Sequence, residues 1–304
     1  YRNGKKIWKT TMLIYLEVLA MNRLFTSTFF RMLKKIVFWI LLICMFIYGV
    51  YSASNAASEA SAGFAIDDCV FEFAPFMGLV AAIFISLFVG SEYSDGTMRN
   101  KVAVGHTRFS IYLSNFIACS IASIFFCLAY ILAVMVIGNM HSGTFLSPHN
   151  RIAYLIICAF GAVIAFTSIM TFLAMLNRNK AANVVVSMLL AIAMLASGSF
   201  IYQRLCEPEM YDQYISVDSN GVPTDVDRVP NPQYVRGTER EVLELLNNFL
   251  PSGQTIQLAD MFNSEGEDTS HDFSHTEQWP FYSLGITIIT TAIGIGLYRR
   301  KEIK

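Results

Sequence analysis

Apolar residues in this chain collect into long runs parted by short polar stretches. Six runs approach or reach the roughly 20 residues that a helix needs to cross a ~30 Å hydrocarbon layer. They are Ile36–Ser52, Val70–Gly90, Ile117–Gly138, Ile152–Leu176, Val184–Gln203 and Phe281–Leu297. The first and last are the shortest, and tilt or local thinning accommodates such lengths. Glu72, near the start of the second run, is the one ionisable side chain in them apart from cysteine and tyrosine. The pattern predicts an all-α polytopic membrane protein with six transmembrane helices.

Two further segments have amphipathic patterns. Residues 7–33 are apolar but interrupted by Lys9, Glu17, Arg23 and Arg31. Leu13, Leu16, Ala20 and Leu24 fall at helical spacing, with Leu19 and Phe25 beside them, as in a helix lying in a membrane interface. Between the fifth and sixth runs, Thr238 and Glu241 fit a capping box. Val242, Leu245, Leu246, Phe249 and Leu250 then form one apolar face, which Pro251 ends.

Composition agrees with the pattern. The chain of 304 residues is 54% hydrophobic and 15% charged, with mean hydropathy +0.47. Soluble chains carry about 25% charged residues. The net charge of −1 hides a segregation of signs. With the N-terminus inside, the cytoplasmic segments hold 17 of the lysines and arginines and the external ones 5, and every lysine falls inside. That is the bias expected of cytoplasmic loops. Both termini are therefore expected in the cytoplasm. Lys34-Lys35, the first run and Ser52-Ala53-Ser54-Asn55-Ala56 also follow the order of a secretory signal, but about 35 residues precede that run, and a span is the reading adopted.

The polar stretch between the second and third runs is the most specific feature. It reads Ser91–Arg108, SEYSDGTMRNKVAVGHTR. Glu92-Tyr93-x-x-Gly96-Thr97-x-Arg99-Asn100, followed by Gly105-x-x-Arg108, resembles the cytoplasmic turn after the second span of ABC-2 type transporter permeases. In that family the turn touches the ATPase subunit. The resemblance implies an ABC-2, type V exporter-like fold: an elbow helix within residues 1–35, spans one to five over 36–203, an external domain over 204–280, and the sixth span with a basic tail over 281–304. It implies a coupling role for Glu92, Tyr93, Gly96, Thr97, Arg99, Asn100, Gly105 and Arg108. Glu92 would anchor the turn, Gly96 and Thr97 would let the chain enter a short helix, and Arg99 and Arg108 would pair with acidic groups of the ATPase or with lipid headgroups. Topology setting alone explains the two arginines equally well. Leu250-Pro251-Ser252-Gly253-Gln254 is more loosely similar to the external loop of bacitracin- and lantibiotic-type permeases, although a small lid on the outer span ends would read the same way.

No G-x-x-x-x-G-K-[ST] phosphate loop occurs, nor H-E-x-x-H, C-x-x-C or G-x-S-x-G. The resemblance therefore implies that ATP and Mg bind two partner ATPase subunits, with a second permease, identical or related, alongside. No cofactor, metal or nucleic acid is expected on this chain, and its setting is the lipid bilayer of a bacterial plasma membrane. Intramembrane carboxylate or histidine relays of the kind found in ion-coupled transporters are nearly absent. His271 and His275 lie four apart near Asp268 and Asp272, but an acidic loop with scattered histidines explains them without a metal. Cys69 and Cys206 are candidates for an external disulfide. Phe76, Phe84 and Phe88 are candidates for lining a substrate path, since the second and fifth spans line the central path in ABC-2 exporters; lipid-facing phenylalanine is the alternative. Small residues such as Ala191, Gly198, Gly285 and Gly294 suit close helix approach. The function expected is the permease subunit of an ATP-driven exporter of an amphipathic substrate, such as an antimicrobial peptide or a drug. The alternative is a membrane-embedded sensor, immunity protein or enzyme acting through its external loop.

Overall fold

The computed structural model describes residues 21–59, 64–217, 223–262 and 276–301. The upstream part of the 7–33 stripe (Leu13, Leu16, Leu19, Ala20) and the His271/His275 group lie outside the described residues. Eleven helices are described. The first, α1, covers residues 21–33 of that description. It is followed by α2 (Ile36–Glu59), α3 (Asp67–Val70), α4 (Met77–Ser94), α5 (Thr97–Ala103), α6 (Arg108–Met140), α7 (His149–Leu176), α8 (Lys180–Cys206), α9 (Thr238–Phe249), α10 (Pro251–Asp260) and α11 (Trp279–Arg300). Six helical segments are long and apolar enough to cross a membrane, those built on α2, α4, α6, α7, α8 and α11.

Helix α4 is the best enclosed of the six and packs against α6, α7 and α8. Helix α2 pairs with α6, and α11 pairs with α7. The outward faces are apolar, with Ile36, Ile40, Ile43 and Ile47 of α2 all more than half exposed. Such a surface is stable against hydrocarbon and unfavourable against water. Helix α1 turns Leu24, Thr28 and Met32 into the bundle, a spacing of four that keeps them on one face. Its last turn is closed by Trp39, whose Nε1 donates to the Leu33 carbonyl at 2.8 Å.

Several boundaries differ from the sequence reading. The second run is not one helix from Val70. The chain forms the short α3, then a 3-10 turn over Ala74–Phe76, and only then α4. Pro75 sits in that turn, where its missing N–H costs nothing. Helix α6, built on the third apolar run, begins at Arg108, because Thr107 caps it by accepting from the Ser110 amide at 3.2 Å. Helix α8 begins at Lys180, where the Asn179 side chain accepts from the Ala181 amide at 3.0 Å. Residues Ser52–Ala56 continue α2. Ser52 is buried there and donates to Glu72 Oε2 at 2.6 Å, so the segment reads as a packed helix end.

Between α8 and α11 the fold is not purely helical. Strands β1 (Met210–Val217) and β2 (Pro223–Pro230) form an antiparallel hairpin in the register Met210↔Pro230 and Tyr211↔Val229. The capping box at α9 does not form: Gly237, at φ 61°, occupies the cap position and no side chain caps. Pro251 ends α9 but also starts α10, since proline is accommodated in a helix's first turn.

Helix α10 is buried from Pro251 to Thr255, and again at Gln257 and Leu258. It packs against α7 and α8. Several of its polar side chains find partners within the bundle, although the buried Ser252 hydroxyl has none. Gln254 Nε2 donates to the Asn248 carbonyl at 2.7 Å, and its Oε1 accepts from Ser283 at 2.8 Å. Irregular backbone inside a membrane-crossing bundle is tolerated only where protein supplies such partners.

Candidate functional site at the basic end

The ends of the bundle differ in charge. At the basic end, α1, the α4–α5–α6 turn, the start of α8 and the end of α11 come together. Helix α5 is a seven-residue helix set off by two left-handed glycines, Gly96 at φ 68° and Gly105 at φ 97°. A side chain at either φ would be strained. A Cβ at either position would meet nothing within 4 Å, so the requirement there is conformational. Thr97 is the first helical residue and makes no cap bond across this turn.

Glu92, in the last turn of α4, is the hub of the turn and is 0% exposed. Lys101 Nζ, from α5, reaches both carboxylate oxygens at 2.9 Å. Arg31 Nη1, from α1, donates to Oε1 at 2.8 Å. Asn115 Nδ2, from α6, donates to Oε2 at 3.0 Å. Thr28 Oγ1 accepts from Lys101 Nζ at 3.4 Å. One carboxylate thus joins four helices. Lys101 is 8% exposed. Burial lowers its pKa, and the adjacent Glu92 opposes that shift. A buried charge is tolerable only when paired and hydrogen-bonded, as both are here.

A second knot lies beside it. Tyr93 donates its hydroxyl to the Met175 carbonyl at 2.6 Å. Lys301 Nζ donates to the same carbonyl at 3.0 Å and to Tyr93 Oη at 3.3 Å. These donors satisfy the open end of α7, as cations near a helix C-terminus do. Arg108 does the same for α11: its Nη1 donates to the carbonyls of Tyr298 at 3.1 Å, Arg299 at 3.3 Å and Lys301. Burial, with Arg178 second, brings the Lys301 pKa down to about 8.

The eight residues expected to couple therefore divide. Glu92, Tyr93 and Arg108 turn inward and hold the bundle together. Gly96 and Gly105 shape the turn, with Thr97 between them half-buried. Arg99 and Asn100 are exposed, and so is Val104, at 79%. Sequence reasoning missed Arg31, Thr28, Lys101, Asn115 and Lys301 as partners. For Lys101 a signal existed, an opposite charge nine residues from Glu92 across a short helix. Nothing in the sequence links Arg31 to Glu92, 61 residues away.

The other expected site residues lie elsewhere. Phe84 and Phe88 stack on one another at 5.6 Å inside the chain's own core, and Phe126 meets Phe84 edge-on at 5.4 Å. Phe76 is 44% exposed at the other end. Cys69 and Cys206 are free thiols, and Cys69 is buried with its Sγ toward the Ile66 carbonyl. Among the described residues, no three of His, Cys, Asp and Glu are grouped as metal ligands. Comparison with protein-family models and with curated proteins gave no match, so a functional reading of this end rests on its own geometry.

Proposed function

We propose that the chain is the membrane-spanning permease subunit of an ATP-driven exporter, powered by a separate ATPase that docks on α5. One observation carries this reading: a short helix is presented at the basic end, bare on its outer side and tied on its inner side, by ion pairs and a hydrogen bond through Glu92, to three other helices. Such a part works as a lever. A push on Arg99, Asn100 or Val104 moves Lys101, and with it the ends of α1, α4 and α6. The orientation that puts lysines in the cytoplasm exposes α5 where ATP is available. ATP and Mg would bind the partner, because this chain has no phosphate loop. The largely uncharged spans suit an amphipathic cargo, such as a peptide or drug.

The test is purification of the chain from its native membrane in a mild detergent, with mass spectrometry of what accompanies it. A stoichiometric ATPase carrying a phosphate loop is the expected result, and a second permease with it would make the complex heteromeric. Recovery of the chain alone across several detergents would overturn the reading in favour of a sensor or enzyme acting through residues 204–280.

A further inference from the structure

Glu72 stands in the apolar part of the chain without a counterion. It lies between α3 and the 3-10 turn that leads into α4, within the membrane-length segment Asp67–Ser94. Its neighbours place its depth. Oε2 accepts from Ser52 Oγ at 2.6 Å, and the Tyr130 hydroxyl lies 2.8 Å from the same Oγ. Ser52 closes the apolar run of α2, and Tyr130 lies ten residues before the end of α6, roughly 15 Å inside it at ~1.5 Å per residue. The carboxylate is therefore at the boundary of the apolar layer, at the end of the bundle opposite α5.

The contrast with Glu92 is sharp. That carboxylate is met by a lysine, an arginine and an amide. Among the described residues no lysine or arginine pairs with Glu72. Its Oε1 accepts no hydrogen bond from them, and the half-buried side chain is not sealed in. Aromatic rings flank the position. Tyr48 donates to the Glu72 carbonyl at 3.3 Å and meets Phe76 edge-on at 5.6 Å. Phe76 is 44% exposed, and Tyr51, beside Ser52, is 62% exposed. From Tyr51 an exposed apolar stripe runs back along α2 through Ile47, Ile43 and Ile40, at spacings of three and four that keep them on one face.

A carboxylate at this depth is costly unless a cation meets it. One carboxylate and one hydroxyl offer too few oxygens for calcium or magnesium. Aromatic faces beside a carboxylate suit an organic ammonium instead. We propose that Glu72 is the counterion of an organic ammonium, the head of a single-chain amphiphile that enters from the lipid at this end. Tyr48 and Phe76 flank the head, and the tail lies along Tyr51, Ile47 and Ile43. The site is formed by this chain alone and does not rest on the exporter reading.

The test is equilibrium binding of radiolabelled dodecyltrimethylammonium to the purified full chain in a non-ionic detergent, with dodecanol as the uncharged competitor. One saturable site is expected, displaced by unlabelled dodecyltrimethylammonium and not by dodecanol. Glu72→Gln is expected to weaken binding at least about tenfold, as loss of a charged partner does. Phe76→Leu, a surface change, is expected to weaken it about two- to fivefold, and it tests the site even where Glu72→Gln fails to fold. Glu277→Gln removes an equal charge from the exposed turn before α11 and is expected to leave binding unchanged. Equal weakening by Glu72→Gln and Glu277→Gln would reduce the binding to diffuse attraction and overturn the proposal. So would displacement by dodecanol, parent affinity in Phe76→Leu, or the absence of a saturable site.

Discussion

A carboxylate taken out of water must be matched group by group, and Glu92 shows how closely. Both its oxygens are engaged, by an ammonium, a guanidinium and an amide. Glu92→Gln keeps the shape and removes the charge, leaving the Lys101 ammonium buried without its counterion. Breaking a buried pair in this way costs about 3–5 kcal/mol. The expected outcome is a clear loss of thermal stability in detergent, and of yield. Glu92→Gln combined with Lys101→Met is expected to regain much of it, since an apolar replacement of a buried pair is often near neutral. A double-mutant cycle of melting temperatures measures the coupling, and purely additive losses would show that the two do not act as a pair. Lys301 gives a pH-dependent counterpart. Its folded pKa, about 8, lies below the ordinary 10.5. The unfolded chain therefore holds its proton longer, and this group makes stability rise with pH between about pH 8 and about pH 10. Lys301→Met is expected to flatten that part of the melting-temperature profile relative to the parent.

At the scale of elements, two close approaches fix how helices meet. A Cβ on Gly253 would lie 2.2 Å from the Asn247 carbonyl oxygen, which is backbone and cannot swing away. A Cβ on Gly294 of α11 would lie 2.2 Å from the Tyr112 hydroxyl and 2.6 Å from its ring. Gly285 of the same helix has nothing within 4 Å. Gly253→Ala and Gly294→Ala are expected to destabilise by at least the roughly 1–3 kcal/mol typical of overpacking. Gly285→Ala is expected to be neutral or to stabilise by up to ~1 kcal/mol through helix propensity. Melting temperatures of the three variants check this, and an equal loss in all three would mean that the approaches are not tight. The Tyr112 hydroxyl is buried without a hydrogen-bond partner, so Tyr112→Phe on its own is expected to be tolerated. None of this was legible beforehand. Composition marks small residues as candidates for contact, but which glycine meets a tyrosine depends on how two helices separated by 180-odd residues dock. For the same reason Val242, Leu245, Leu246 and Phe249 were readable as one face, while the outward direction of that face was not.

The molecule as a whole was legible to the extent that hydrophobicity dictates it. Six apolar runs became six helices of membrane-crossing length, because each run must hydrogen-bond its own backbone and a helix does so alone. Polar boundaries shifted wherever a local cap or a proline prevailed, at Pro75, Thr107 and Asn179. At the basic end the sequence located the charged turn but not the division of labour within it. Charged residues in a short turn all look alike until burial separates Glu92, Lys101 and Arg108, which bind the bundle, from Arg99, which faces out. That separation makes the proposed function testable without confusing coupling with folding. Arg99→Glu and Val104→Asp alter the bare side of α5 and touch none of its internal bonds, so both are expected to keep the parent's melting temperature within the ~0.5 kcal/mol usual for surface changes. In the purified complex they are expected to weaken ATPase binding and to lower cargo-stimulated ATP hydrolysis several-fold. Glu92→Gln should lose stability and coupling together. Full ATP-driven transport by both surface variants would remove α5 as the docking element, and would reduce Arg99 to a residue that sets topology.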